Sequence, residues 1–185
     1  MTELTAAGCC RLYLCPIPDT AGSRRDCEKA AVESLISQVL GKDMRLTHSP
    51  EGAPAISGHP ELRISISHSA SHCLLAVGNS PHINIGVDIE SPRPQLLRVS
   101  RRFLTPAEEN SANHSCDEPS RLGILLKYWT AKEAVYKAAL TPGLALTEIH
   151  IAPDFTCAQA RGSKFSLSWL SIPTGEVIAL ACQKP

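Results

Sequence analysis

Ile83-Asn84-Ile85-Gly86-Val87-Asp88-Ile89-Glu90 places an aliphatic side chain at every second position, the period of a β-strand with one buried face. Asp88 and Glu90 therefore share the other face. Two neighbouring carboxylates repel each other and both gain from a shared cation. Their hard oxygens suit Mg²⁺, which keeps several waters and takes substrate phosphate oxygens as further ligands. Taken alone, the same alternation also describes the wet side of an ordinary amphipathic strand. Gly86 leaves space for another group to approach.

Working outward, this strand is the last of three. Apolar stretches at Leu62–Ser67, Cys73–Val77 and Ile83–Ile89 follow a Pro/Gly/Ser-rich loop over 49–60, with a turn at Gly78-Asn79-Ser80-Pro81. Before that loop, Ala31, Leu35, Ile36 and Val39 recur at helical spacing, which predicts a helix from about Arg25 to Leu40 with Gly41 as its stop. Beyond Ser91-Pro92-Arg93-Pro94 the pattern repeats. A short helix is expected near Thr105, then a polar loop, a longer helix over Ser120–Leu140, and strands at Leu146–Ile151, Phe165–Leu170 and Val177–Cys182. Helix followed by three strands occurs twice. The expectation is an α+β fold in which each helix covers one face of an antiparallel sheet, with halves over 1–92 and 93–185 and a site in the cleft between them.

The length, 185 residues, suits one domain of this kind. Hydrophobic residues make up 43% and charged ones 19%, the balance of a chain that collapses around a core. The 18 Lys and Arg equal the 18 Asp and Glu, so no global field draws the chain onto nucleic acid or an anionic membrane, and a charged ligand must be held locally. Eight cysteines follow no C-x-x-C spacing, which leaves a zinc ribbon without support. The opening Met1-Thr2-Glu3-Leu4 has neither a basic region nor a long apolar run, so the cysteines are expected as reduced thiols of a cytoplasmic protein.

On a helical wheel, Ile124, Tyr128, Ala131, Val135 and Ala138 form one apolar stripe, and Trp129, Glu133 and Lys137 lie opposite, with Lys132 on the flank. A solvated Glu133–Lys137 pair, worth about 0.3–0.5 kcal/mol, does not account for an indole on the same side. Something covers that face, and a covered Glu133 needs a cation or donors. Asp88, Glu90 and Glu133 could then share a divalent ion, beside two lysines able to hold phosphate. Ile64-Ser65-Ile66-Ser67-His68-Ser69 adds hydroxyls and an imidazole at a strand end, groups that donate to phosphate oxygens.

The order of these segments is similar to a known family. Gly86-Val87-Asp88-Ile89-Glu90, followed by Trp129-Thr130-Ala131-Lys132-Glu133-Ala134-Val135-Tyr136-Lys137, resembles the paired signatures of the 4′-phosphopantetheinyl transferases of the surfactin-synthetase-activating (Sfp) type. Ser65-Ile66-Ser67-His68-Ser69 looks like the phosphate-contacting segment before them, and Arg102-Phe103-Leu104-Thr105-Pro106-Ala107-Glu108 like the element between them. The resemblance covers about residues 50 to 140. It implies a pseudo-dimer of two similar halves, each a helix with a three-stranded sheet, holding coenzyme A and Mg²⁺ in the cleft. By matching positions it implies Asp88, Glu90 and Glu133 as metal ligands, Lys137 and Lys132 facing the coenzyme's phosphates, and His68 on a phosphate with Ser67 near it. Where the family often has Gly-Lys-Pro this chain has Gly52-Ala53-Pro54. Arg24, Arg25, Arg11, Lys42 or Arg45 could replace the missing lysine.

The activity so implied is transfer of the 4′-phosphopantetheine arm of coenzyme A to a serine of an apo acyl or peptidyl carrier protein, releasing adenosine 3′,5′-bisphosphate. Asp88, Glu133 and Lys137 would be the catalytic residues, with Glu133 as the candidate base. Arg93, Arg98, Arg101 and Arg102 form the densest basic run, suited to an acidic carrier. A monomer is expected, with no nucleic-acid or membrane partner. The competing readings are a module that binds coenzyme A or a carrier without catalysis, and a Mg²⁺-dependent nucleotide hydrolase, for which no G-x-x-x-x-G-K-[S/T] loop is present.

Overall fold

The near-continuous apolar run Cys10-Arg11-Leu12-Tyr13-Leu14-Cys15 becomes the centre of a sheet, because a strand buried on both faces needs no polar alternation. In the computed structural model, which describes residues 1–4, 8–18, 23–115 and 117–183, this strand is β2 (Cys10–Pro16), after β1 (Thr2–Leu4). The chain continues through α1 (Arg24–Val39), β3 (Leu46–His48), β4 (Pro54–Ile56), β5 (Ile64–His68), β6 (His72–Gly78) and β7 (Ile85–Glu90). Then come α2 (Gln95–Val99), α3 (Pro106–Asn113) and α4 (Glu118–Ala139), followed by β8 (Ile149–Ile151), β9 (Cys157–Ala160), β10 (Ser163–Ser171) and β11 (Val177–Gln183).

Helices α1, α3 and α4 begin where side chains satisfy their free amides. Ser23 caps α1, Thr105 and Glu108 form a reciprocal capping box on α3, and Asp117 accepts from Ser120 N–H at 2.7 Å on α4. Leu140 closes α4 in the left-handed region, φ 48°.

Two antiparallel sheets dominate, of four strands in the order β1-β2-β6-β5 and five in the order β7-β11-β10-β9-β8. The fold is therefore α+β with a helix on each sheet. Beyond the expected strands the first sheet contains β1 and β2, and the second contains β9 and also takes β7. β2 is buried along most of its length and shows no alternation, while β1 and β9, of three and four residues, carry too few positions to set a period. The first half of the expected Leu146–Ile151 strand is a 3₁₀ turn, Leu146–Glu148. The change of sheet falls before β7 rather than at residue 92, since β7 pairs with β11 in the register Val177↔Glu90 to Cys182↔Ile85.

Three apolar clusters define the layers. Ala31, Leu35 and Ile36 of α1 pack on Tyr13, Cys73 and Leu75 of the first sheet. Leu12, Leu14, Leu74 and Ala76, on its other face, pack against Val87, Ile89, Ile178 and Leu180 of the second sheet. Ala131, Ala134, Val135 and Ala138 of α4 then cover the far side of that second sheet with Phe165, Ala179 and Ala181. The order is helix, sheet, sheet, helix.

At one edge β5 and β7 run side by side, bridged by side chains. Ser65 Oγ accepts from Val87 N–H at 3.0 Å and Ser67 Oγ from Ile89 N–H at 3.3 Å. Where the sequence suggested eight reduced thiols, Cys9 and Cys182 form a disulfide, since the approach to β2 and the end of β11 bring their Cα atoms within 6.7 Å. Cys116 lies outside the described residues. Among the described residues no helix is long and apolar enough to cross a membrane.

Candidate active site

Gly86 decides how the site is built. A Cβ there would fall 2.0 Å from the Ala134 carbonyl oxygen and 2.6 Å from the Ala138 amide nitrogen, so α4 lies directly on β7 with backbone against backbone. The space left by the missing side chain is filled by a helix. That close approach sets Trp129, Glu133 and Lys137 over Asp88 and Glu90.

Lys137 Nζ donates to Asp88 Oδ1 at 2.8 Å and to the Val87 carbonyl at 3.0 Å, while Ser67 Oγ donates to the same Asp88 oxygen at 2.7 Å. Asp88 Oδ2 is buried and accepts no hydrogen bond within the described residues. Glu90 Oε1 accepts from Trp129 Nε1–H at 2.7 Å and from Arg93 at 2.9 Å. The indole is sandwiched, with the Phe103 ring edge-on at 5.2 Å and the Arg93 guanidinium 5.3 Å from its centroid. This is the cover that an indole on a charged helix face required.

Burial pushes the Glu133 carboxyl above the ordinary range and the Asp88 charge pushes it further, with Lys137 pulling back and Glu90 adding to the rise. The Glu90 carboxyl is raised too, by burial first and then by Asp88, against the Trp129 hydrogen bond, Arg93 and Lys137. Three carboxylates from β7 and α4 thus feel one another, and one buried oxygen lacks a donor. Among the described residues no three acidic, His or Cys side chains stand in a ready coordination cluster. The donor set, a carboxylate oxygen with no partner among the described residues beside two carboxyls raised by burial and by the Asp88 charge, nevertheless has the chemistry a hard divalent cation answers.

Beside this cluster a cavity of about 530 Å³ opens between the halves, within the size range of small-molecule sites. One wall is Gly52-Ala53-Pro54 with β5, the other the end of α4 with Tyr136 and Leu140, and Lys137 lines it. Tyr136 and Leu140 are exposed large apolar side chains, an ordinary cost where a ligand covers them.

The structure brings Asp88, Glu90, Glu133, Lys137 and Ser67 together. It does not bring Lys132. Its ammonium is fully buried and spent on Glu108 Oε2 at 2.8 Å and on the Leu146 and Ile149 carbonyls. The wheel put Lys132 beside Glu133, but the adjacent position on a helix turns by about 100°, toward α3 and β8. His68 follows Ile64 and Ile66 on the β5 face away from Asp88, half-exposed, with Nδ1 3.5 Å from Glu28 Oε1. Arg24 bonds Glu28 at 2.6 Å and the Ser69 and Ala70 carbonyls, beside His68. Arg25 is exposed and has no hydrogen bond or ion pair among the described residues. None of Arg11, Arg24, Arg25, Lys42 and Arg45 lines the cavity; Arg63 and His59 do, and no motif in the sequence singled them out.

The model of the 4′-phosphopantetheinyl transferase superfamily matches residues 84–181, more than half of the chain. The chain belongs to this superfamily. It is similar to the 4′-phosphopantetheinyl transferase Sfp of Bacillus subtilis, 29% identical over 109 residues, which are 57% of this chain and 47% of that protein. It is also similar to the 4′-phosphopantetheinyl transferase HetI of Nostoc sp., 28% identical over 130 residues, 67% of this chain and 54% of that one. The chain spans about half the length of the curated relatives it matches. A solved structure, the holo-[acyl-carrier-protein] synthase of Thermotoga maritima, aligns over 55% of this chain and 62% of its own at 15% identity, TM-score 0.40. The superfamily match begins at Asn84, at the entrance to β7, and so takes in Asp88, Glu90, Glu133 and Lys137.

Proposed function

We propose that this 4′-phosphopantetheinyl transferase family member moves the 4′-phosphopantetheine group of coenzyme A to a serine hydroxyl of an apo carrier protein and releases adenosine 3′,5′-bisphosphate. The observation that carries this reading is Lys137, whose ammonium joins the inter-half cavity to the buried Asp88 beside Glu90 and Glu133. A cationic donor at the boundary of an apolar cavity and a carboxylate cluster is a place for a diphosphate whose organic arms lie in the cavity.

In this reaction the serine oxygen forms a bond to the phosphorus bearing pantetheine, the bond from that phosphorus to the bridging oxygen breaks, and the adenosine bisphosphate leaves with the electron pair. Asp88, Glu90 and Glu133 would hold Mg²⁺, which supplies neutralisation of diphosphate charge. Lys137 orients the phosphate oxygens and opposes the charge that grows on the leaving group. Glu133, directly or through a water, accepts the serine proton. His68, half-exposed at the end of β5, offers a donor to a further phosphate oxygen. Arg98 and Arg102, exposed and without ion pairs among the described residues, together with Arg101, whose partner is Glu109, suit the acidic surface of a carrier.

The test is incubation with coenzyme A, Mg²⁺ and apo carrier proteins, with the carriers weighed by mass spectrometry. The expected result is a gain of one phosphopantetheine group, and a rate lower by about 10²-fold or more in Asp88→Ala, the scale of a lost electrostatic stabiliser. Coenzyme binding without any mass gain would instead favour the module that binds without catalysis.

A further inference from the structure

Serines occupy positions 65, 67 and 69, every second residue along and just past β5, so their hydroxyls face the second half of the molecule in a row. The first two bond to β7. The third, Ser69, donates to Glu176 Oε1, and Glu176 is the residue before β11, next to the Val177↔Glu90 pair.

Glu176 is only 2% exposed and plays no part in the chemistry derived above. A buried carboxylate costs folding energy unless its oxygens are used, and both of these are. Oε2 pairs with His72 Nδ1 at 2.6 Å and accepts from Thr174 Oγ1 at 2.7 Å. The bonds to Ser69, His72 and Thr174 hold its carboxyl below the ordinary range despite burial. Ser69 and His72 flank the turn that joins β5 to β6. Ser69 Oγ also accepts from the Ser71 and His72 amides at 3.1 and 3.0 Å. From the opposite side, Arg24 donates to the Ser69 and Ala70 carbonyls. The turn that begins at His68 is thus fastened to α1 by an arginine and to the second half by a carboxylate.

We propose that Glu176 is a positioning residue: through Ser69 and His72 it fixes the 68–72 turn of the first half against the second, and so sets His68 for a phosphate of coenzyme A. This rests on the function proposed above. Glu176 itself touches no substrate. Its effect passes through the turn and is read in coenzyme affinity rather than in the transfer step.

The experiment measures coenzyme A binding by calorimetry, and the KM and kcat of carrier modification, for wild type, Glu176→Gln, His68→Ala and the double variant. Glutamine keeps the shape but cannot accept from all three partners. The expected result is coenzyme affinity about tenfold weaker in Glu176→Gln, the scale of lost charge-assisted bonds, with KM raised in parallel and kcat within about twofold. In the His68→Ala background the same change should cost less than about twofold, since the two act through one path. Unchanged affinity in a folded Glu176→Gln protein overturns the proposal, as does an equal loss in both backgrounds. Should Glu176→Gln unfold at the assay temperature, Ser69→Ala, which cuts the same link and leaves Glu176 with His72 and Thr174, takes its place under the same two criteria. A wild-type protein that binds no coenzyme A refutes the function itself, and with it this role. One that binds normally while the cycle is additive refutes only the positioning.

Discussion

Glu133, proposed above as a metal ligand and base, works against the fold that holds it. Its carboxyl and that of Glu90 are raised by burial and by the Asp88 charge. In the metal-free protein the folded chain therefore keeps protons that the unfolded chain has released. Stability consequently falls as pH rises from the ordinary carboxylate range, near 4.5, through these raised values, and the loss is complete above them. Glu133→Gln removes part of that burden. Expected for this variant are a melting temperature above wild type at pH 8, a smaller difference at pH 4, and a transfer rate lower by about 10²-fold, the cost of a lost acid–base group. Mg²⁺ should raise the wild-type melting temperature at pH 8 by binding the folded state, and raise that of the glutamine variant less. Thermal denaturation with and without chelator checks this. A variant less stable than wild type at pH 8 would mean that Glu133 is relieved by partners other than a cation.

At the scale of elements, helix α4 on strand β7 is the unit that makes the site. Much of it was legible in the sequence. Alternation over Ile83–Glu90 placed both carboxylates on one strand, and the uncovered-looking Trp129 signalled that the charged face of the helix was covered. What the wheel could not supply is the direction of each neighbour. A helix buried on one side by a sheet and on another by α3 has two interior faces, so Lys132, expected at phosphate, instead neutralises the equally buried Glu108. Binary patterning cannot separate a lysine that serves a ligand from one that serves a buried carboxylate. The short strands β3 and β4, of three residues each, carry too few positions for any period. Gly86 is the residue on which the unit depends. Gly86→Ala would drive a methyl group into the Ala134 and Ala138 backbone, atoms that cannot turn aside, so α4 must move off β7. Overpacking of this kind costs about 1–3 kcal/mol where side chains can shift, and rigid backbone shifts less readily. The urea midpoint should fall, and the surviving folded protein should lose activity because Lys137 no longer reaches Asp88. A variant with both unchanged would show that the helix stands farther from the strand than this packing requires.

Across the whole molecule the two sheets meet in two ways. Over most of the interface they share an apolar layer, Leu12, Leu14, Leu74 and Ala76 against Val87, Ile89, Ile178 and Leu180. At the β5–β7 edge the contact is polar, and the serines satisfy amides that neither sheet's ladder reaches. The doubled helix-and-strands plan was visible in the chain, but this seam was not. Ser65 and Ser67 read as donors to a ligand, whereas their hydroxyls accept from the backbone of the other half. The seam also touches the chemistry proposed above, because of the two serines only Ser67 donates to Asp88 as well. Ser65→Ala and Ser67→Ala each leave a buried N–H without an acceptor, a loss of about 1–3 kcal/mol, so their urea midpoints should drop by similar amounts. Their rates should separate. Ser67→Ala also strips Asp88 of one of two donors to Oδ1, leaving that oxygen to Lys137 and drawing the ammonium away from a phosphate. Compared where both variants are fully folded, Ser67→Ala should transfer more slowly than Ser65→Ala. Equal rates would mean that the Ser67–Asp88 bond closes the seam and does nothing for the reaction.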